Sequence, residues 1–477
     1  MQFSHSFEQN RAMIQQLLRV EASFDLITRT VRMDGKQAQL YFVDGMVLDD
    51  TLERIIDALL KLPPERLRAD RSARDFIDDA MPHGEADLTL EAGDFITFVL
   101  SGAVGMLLEG YREAVLIDVR SYPARPITEP ENDRVLRGPR EGFVEALVSN
   151  TALLRRRIRD PRLSMERFTL GERSKSDVVL CYLDGRADQK LLDRLRSKLK
   201  SIRINTLTMG LESLTECMCP RQWWNPFPRA RYTERPDSAA ACVAEGQILL
   251  LMDNYPAGMI LPTGIFDFLQ DTNDFAFLPF TGTFLRWLRL ILSLVTTVFA
   301  PLWYLLMKHP QIIPQALSFL KIQDFIKIQN SIAMPLLAQL FLIELVVGAL
   351  KLASLNTPLA LSSSFAVISA LVLGEFAVRA ELMVPEAVLV MGFVTVANFA
   401  QSSYELGYAL SFARMLLLGL SGLFGVWGFC AGGVLLIAVI SRTKTLSGNC
   451  YWYPLIPFRP KALASLFLRK PISWENS

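Results

Sequence analysis

Residues Ile332 to Ser354, IAMPLLAQLFLIELVVGALKLAS, limit what this chain can fold into more than any other stretch. Twenty-three residues in a helix rise about 34 Å, enough to cross a hydrocarbon core of about 30 Å. Almost every residue is apolar, yet Glu344 and Lys351 stand inside the run. Charge at membrane depth is costly, so such groups face a bundle interior or an aqueous path rather than lipid. Their seven-residue spacing puts them on one helix face, two turns apart. The stretch predicts a spanning helix in the conducting or gating core of a membrane assembly. Lys351 lies near the helix end, where a long side chain snorkels or pairs. Glu344 lies near mid-helix, where a pore or gate role and a buried structural pair both stay open.

The charge of the chain divides in two. Residues 1–284 hold 36 Lys and Arg against 42 Asp and Glu, and residues 285–477 hold 14 against 7. A charged front followed by a sparsely charged apolar back is the pattern of a soluble region fused to a polytopic membrane domain. The N-terminus, MQFSHSFEQNRAMIQQLLRV, lacks the apolar core and small-residue cleavage site of a signal peptide, so the front is expected to stay in the cytoplasm. The predicted fold is therefore an α/β two-part cytoplasmic N-terminal region followed by an all-α polytopic membrane domain.

Within the front, residues 1–20 read as a tail or polar helix. The alternating stretch SFDLITRTVRMDGKQAQLYFVDGMV predicts two strands about Asp34-Gly35. Leu52–Leu62 has helical spacing and stops before Pro63-Pro64. Ala103–Leu108 and Ala114–Val119 read as strands about Glu109-Gly110, which completes a first α/β subdomain over 21–140. The strand SDVVLCYL (176–183) and the amphipathic helix Ala187–Lys200 predict a second subdomain over 141–220. Residues 221–284 read as a connector holding one strand, Gly246–Met252, and short helices.

Five apolar runs follow: Leu290–Met307, Ile332–Ser354, Leu361–Val378, Met383–Ala400 and Met415–Ser441. They define a membrane domain over 285–445, with an interfacial helix expected near 309–331 and a cytoplasmic tail over 446–477. The loops 355–360 and 401–412 hold no Lys or Arg, whereas Lys308, Lys321, Lys327, Arg379 and Arg442 flank the other ends. The positive-inside bias then predicts four crossings with residue 331 inside, and Leu290–Met307 re-entrant or bent at Pro301. Glu375 in the third run is a further candidate pore or gate residue beside Glu344 and Lys351. Glycine and serine between Gly419 and Gly433 suit close helix packing.

A second motif is basic. Arg137 and Arg140 precede a helix ending Arg155-Arg156-Arg157-Ile158-Arg159, four arginines in five positions. Such a cluster can bind phosphate or an acidic partner surface. The blander reading is a solvated or salt-bridged helix end, where cations also complement the dipole. Gly138-Pro-Arg-Glu-Gly142 lacks the Lys-Ser/Thr of a phosphate loop, so nucleotide binding is not supported. Three histidines and six cysteines show no metal-ligand spacing, and no nucleophile stands near a base. Neither an enzyme nor a bound cofactor or metal is expected, nor a nucleic-acid partner.

Particular motifs carry a family resemblance. RGPREGFVEALVSNTALLRRRIRDPRLSMERF (137–168), GERSKSDVVLCYLDGRAD (171–188), GQILLLMDNYPAGMILPTGIFDFLQ (246–270), Ile127-Thr-Glu-Pro130 and the segment about Glu344 resemble the A subunits of spore germinant receptors, the GerA family. The resemblance covers roughly residues 20–465. SFDLITRTVRMDGKQAQLYFVDGMV, ALKLASLNTPLAL, MVPEAVLVMGF, SSYELGYALSFAR and YPLIPFRPKALASLFLRKP resemble a sporulation paralogue within the family more closely. Receptor subunits carry an Arg-Glu-Ala-Gly type sequence where this chain has Lys351-Leu-Ala-Ser354, which weighs against direct nutrient sensing.

The resemblance implies an integral protein of the spore inner membrane, with its N-terminal region and C-terminus cytoplasmic. It also implies a homo-oligomeric ring, a pentamer, that releases cations during germination and amplifies the response of the receptors. A small membrane partner subunit and the receptors themselves are the implied partners. The alternatives are a non-conducting scaffold for receptor clusters and a nutrient-sensing A subunit.

Overall fold

In a computed structural model, residues 1–33, 35–63, 72–80, 85–122, 138–207, 209–219, 224–275, 277–309, 334–356, 377–446, 448 and 450–469 are described. Arg137, Glu375, the motif 127–130, the run Leu361–Val378 save its end, and nearly all of the expected interfacial helix lie outside them. The chain divides into two units. One comprises Met1–Arg221, Ala230–Thr263 and Thr445–Asn449; the other comprises Gln222–Arg229, Gly264–Lys444 and Cys450–Ser477.

The first unit is built twice from one plan. Helix α1 (Phe7–Leu18) leads into the hairpin β1 (Leu26–Met33) and β2 (Lys36–Val43), then α2 (Asp49–Leu60), α3 (Ala73–Ala80), β3 (Ala86–Thr89), α4 (Ala92–Leu100), β4 (Val104–Leu108) and β5 (Ala114–Ile117). The second copy runs α5 (Leu147–Arg157), β6 (Leu163–Leu170), β7 (Ser176–Leu183), α6 (Gln189–Ser201), α7 (Gly210–Met218), β8 (Arg231–Thr233), α8 (Pro236–Ala244), β9 (Ile248–Met252) and β10 (Gly258–Leu261). The sheets are ordered β1-β2-β4-β5-β3 and β6-β7-β9-β10-β8, the same order in each, with all neighbours antiparallel.

Each sheet is sandwiched between helices, which explains why its central strands are apolar throughout rather than alternating. In the first copy Ala38, Leu40, Val104 and Met106 face α2 and α3, while Tyr41, Val43 and Leu107 face α1 and α4. In the second, Val178, Leu180, Ile248 and Leu250 face α6 and α7, while Val179, Cys181, Leu249 and Leu251 face α5 and α8. The inner faces of the helices follow from spacing: α6 buries Leu191, Leu192, Leu195 and Leu199, and Asp188 caps its start by accepting from the Lys190 N–H.

The sequence keeps traces of the repeat at the strand-to-helix turns. Leu40-Tyr-Phe-Val-Asp44-Gly45 matches Leu180-Cys-Tyr-Leu-Asp184-Gly185. The Asp44 N–H donates to Asp25 O at 2.8 Å and the Asp184 N–H to Arg162 O at 2.9 Å, each just ahead of the first strand of its copy. Gly45 and Gly185 both take positive φ, +72° and +80°, which a side chain disfavours.

Two boundaries differ from the sequence reading. Residues 1–20 are not a tail, because Phe3, Ile14 and Leu18 pack in the core against Tyr41 and Phe95. The second subdomain does not end at 220, because β8, α8, β9 and β10 complete its sheet within the stretch read as a connector. Strand β8 has three residues, too few for a periodic signal, and its pairing with β10 is distant in sequence.

The second unit is helical. Pro279–Lys308 is one 30-residue helix, long and apolar enough to cross a membrane; so are Leu336–Ala353, within the helix Leu336–Asn356, and Tyr404–Arg442. Pro385–Phe399 is a shorter apolar helix. The first helix is continuous through Pro301, by way of a π turn over Val295–Phe299.

The apparent 39-residue helix Tyr404–Arg442 reverses at Gly425, whose φ of +61° and ψ of −136° lie outside any helix. Residues 15 apart in a straight helix stand about 22 Å from one another. Here a Cβ on Gly432 would lie 2.9 Å from Leu417 Cδ2, and one on Gly428 would overlap the Leu420 carbonyl oxygen. At the far end Leu406 and Leu410 share one apolar cluster with Val439 and Ile440. The element is an antiparallel helical hairpin whose arms, 404–424 and 426–442, rise roughly 31 and 25 Å.

This reversal changes the order of ends expected from charge. At the hairpin tip Lys308 Nζ lies 3.4 Å from Gly422 O, and Gly422 abuts Leu337. At the opposite end Phe268 and Tyr451 pack with Leu406 and Leu410, and Asn225 Nδ2 donates to Thr443 Oγ1 at 2.7 Å. Lys308 and Arg442, placed on one face by the charge count, therefore lie at opposite ends of this unit. The run Met415–Ser441 is not one crossing: Gly425 turns it back halfway.

The charged seam of the helical unit and the buried arginine of the α/β unit

Glu344 is 8% exposed and meets Arg414, 2% exposed, from the first arm of the hairpin. Arg414 Nη2 lies 2.7 Å from both carboxylate oxygens and Nε lies 3.1 Å from Oε2. Planar guanidinium against carboxylate in this forked geometry is the strong form of ion pair. The remaining donor of Arg414, Nη1, reaches Thr296 O at 2.6 Å. That carbonyl is available for a local reason. In the five-residue register of the π turn its donor is residue 301, and Pro301 has no N–H. Proline, π turn and arginine are thus parts of one device.

Further polar groups continue the seam. Arg414 Nη2 also contacts Ser411 Oγ at 3.2 Å, and Asn398 Nδ2 donates to the same oxygen at 2.6 Å. Gln339 accepts from the Val384 N–H at 2.8 Å, and Ser293 donates to Gln401 at 2.8 Å. Lys351 sits with its Nζ 5.1 Å from the Phe399 ring centre and 5.4 Å from that of Tyr408, within cation–π range. Glu344 and Lys351 thus belong to one seam, and Arg414, the last residue of the motif SSYELGYALSFAR, is its centre. The signal was available: Arg414 is a cation flanked on both sides by apolar helix, opposite in sign to Glu344.

The basic motif separates into different environments. Arg155 is fully buried at the join of the two α/β copies. Its Nε donates to Asp25 Oδ2 at 2.9 Å and its Nη2 to Asp25 Oδ1 at 3.1 Å, Ser23 Oγ at 3.0 Å and Leu163 O at 3.0 Å. Ser23 Oγ also accepts from the Met165 N–H at 3.0 Å. Arg157 and Arg156 pair with Glu141 at 2.9 and 3.4 Å, and Arg156 also lies over the Tyr122 ring. Arg140 is exposed. Among the described residues no group of three or more His, Cys, Asp and Glu could hold a metal ion.

A family described as Bacillus/Clostridium GerA spore germination protein matches residues 12–477. The chain belongs to the GerA family. It is 35% identical to stage V sporulation protein AF of Bacillus subtilis over 447 residues, which cover 94% of this chain and 89% of that one. It is 26% identical to spore germination protein KA of the same organism, over 95% of this chain and 82% of the relative. Among solved structures, the N-terminal domain of the A subunit of the Bacillus megaterium germinant receptor GerK3 aligns with 55% of this chain and 96% of its own, at 21% identity and a TM-score of 0.41. Both the family reading and the narrower likeness to the AF protein agree with the motifs quoted above. So does the fold class: an α/β region of two sheets followed by a helical region with three apolar candidate spans.

Proposed function

We propose that this GerA-family chain is the membrane subunit of an oligomeric cation channel of the spore inner membrane, which releases ions during germination and amplifies the receptor response. The observation that carries the reading is the Glu344–Arg414 pair, ionisable groups retained deep among membrane-length helices. A buried pair of this kind is commonly no more stabilising than a well-packed apolar one, so its presence is better explained by work than by stability. Opening of the seam would free a ring of carboxylates, one from each copy, to favour cations. A ring, taken as a pentamer, is needed because few helices from one chain make a poor pore. A small membrane subunit and the germinant receptors are its proposed partners.

The rival reading is a scaffold for receptor clusters. It is favoured by the same pair, since both oxygens of Glu344 are satisfied within the chain. Reconstitution in liposomes separates the two. Cation flux is expected from the wild-type assembly, and Glu344→Gln should change its rate or ion preference by about tenfold, a shift of roughly 1.4 kcal/mol. The doubly neutral Glu344→Gln, Arg414→Gln chain restores charge balance and controls for misfolding. An assembly that passes no ions under any condition, or a Glu344→Gln assembly that conducts as the wild type does, sinks the gate assignment.

A further inference from the structure

We propose that the junction of residues 271–275, 277 and 278, the start of helix Pro279–Lys308 and the C-terminal helix Pro460–Phe467 is a binding site for the phosphate headgroups of anionic phospholipids. The proposal rests on the membrane reading of the helical unit and not on conduction.

The junction is built around Asp274, which is fully buried. Arg289 Nη2 meets Asp274 Oδ1 at 2.7 Å, and Arg286 Nε meets Oδ2 at 3.2 Å. Arg286 Nη1 donates onward to Ser465 O at 2.6 Å, tying in the C-terminal helix. The Arg469 N–H donates to Thr283 Oγ1 at 3.1 Å, and its guanidinium reaches Phe275 O at 3.2 Å and Phe277 O. Among the described residues three arginines stand at this junction with one carboxylate, and Arg469 Nε is buried without an acceptor. Arg286 and Arg469 both lie over the Phe275 ring, at 5.5 and 5.2 Å.

Around this cationic centre the surface is apolar: Phe280 is 86% exposed and Leu278 77%, and Phe284, one turn on, and Leu468, next to Arg469, are exposed as well. The sequence adds to the charge, for residues 442–470 hold six Lys and Arg and no Asp or Glu. A run of four to eight cations at the end of a spanning helix is the composition that holds anionic lipid, at about 1 kcal/mol for each cation near the surface. An acidic protein surface would pair the arginines but leave Phe280 and Leu278 in water. A lipid supplies both the phosphate and the acyl chain, and the junction lies where the helix ends rather than along its span.

The test uses the full chain in vesicles of phosphatidylcholine doped with brominated phosphatidylglycerol or brominated phosphatidylcholine. Trp287 stacks 5.2 Å from Phe467 and reports on the junction. Its share of the emission is taken by difference against Trp287→Phe. Brominated phosphatidylglycerol is expected to quench Trp287 about fivefold more effectively, the factor for one cation contact of about 1 kcal/mol. Arg459→Gln with Lys461→Gln, which leaves the Asp274 contacts intact, should weaken this preference, and adding Arg469→Gln should abolish it. The matching Lys/Arg-retaining variants should keep it. Equal quenching by the two lipids, or a preference that survives in the triple variant, overturns the proposal. Displacement by excess inorganic phosphate would mark a soluble-anion site and overturn it too. No quenching by either lipid contradicts the membrane reading itself.

Discussion

Buried arginines set the chemistry of this chain at the level of single residues. Arg155 and Arg414 each spend nearly every donor on carboxylate and backbone oxygens, which is what allows a guanidinium to be buried at all. Removing the partner of Arg155 should expose that dependence. Asp25→Ala is expected to cost about 3–5 kcal/mol of unfolding free energy, whereas Asp184→Ala, which breaks the solvent-reached pair with Arg19 at 2.7 Å, should cost under about 1 kcal/mol. Denaturant titration of the two variants checks this, and equal losses would refute the interlocking role of Arg155. A titrating group supplies a second expectation. Burial raises the Glu166 carboxyl, but hydrogen bonds from Arg196 and Tyr182 outweigh it and hold the group below its ordinary value of 4.5. The stability it lends is present above that value and is lost as pH falls through the folded-state value. Glu166→Gln should therefore be destabilised at neutral pH, and the gap from wild type should close on acidification below about 4.5. A gap constant with pH would show that the carboxylate charge contributes nothing. The sequence displayed the arginine run plainly but could not say which member turns inward, because Asp25 lies 130 residues away.

Elements were legible where their signal is local. The hairpin about Gly35, the strand Ser176–Leu183 and the amphipathic α6 follow from turn residues and periodicity, and the structure places them as read. The repeat was not legible, since it survives in a few turn residues while the strands between them vary freely among apolar types. The hairpin at Gly425 was hidden for a different reason: both arms are apolar and the turn takes one residue, so the run 415–441 shows no polar loop. A cross-link decides it. Cysteines introduced at Leu410 and Val439 on a background free of the six native cysteines should join under mild oxidation or with a short reagent. In a straight helix these positions stand about 43 Å apart, and no cross-link would form. Gly428→Ala, which puts a methyl against the Leu420 carbonyl, should lower the yield.

The course of the whole chain through the membrane turns on that same residue. Charge counting assigns Lys308 and Arg442 to one side because it treats the last run as a single crossing. With the chain reversed at Gly425, the tip groups Lys308, Leu337 and Gly422 stand at one end, and Phe268, Thr443 and Tyr451 at the other. The helical unit is therefore entered near Gly264 and left near Lys444 at the same end. Arg442 and Arg469 then stand at the end opposite Lys308, and in the sequence the bias is carried by the tail 442–470 rather than by the short loops. Placing this end in the cytoplasm satisfies the positive-inside tendency for the tail, with Lys308 and Arg379, which lies by the Leu336–Leu337 end, as exceptions. Two exposed positions test the placement: Trp427, 82% exposed beside the tip, and Tyr453 at the other end. In protoplasts carrying the chain without its native cysteines, Trp427→Cys should react with a membrane-impermeant maleimide. Tyr453→Cys should react only after permeabilisation. The reverse pattern would put the tip in the cytoplasm and overturn this placement. A Trp427→Cys that reacts from neither side would restore the single crossing read from charge, and labelling of both from outside would exclude the hairpin as a membrane-crossing element.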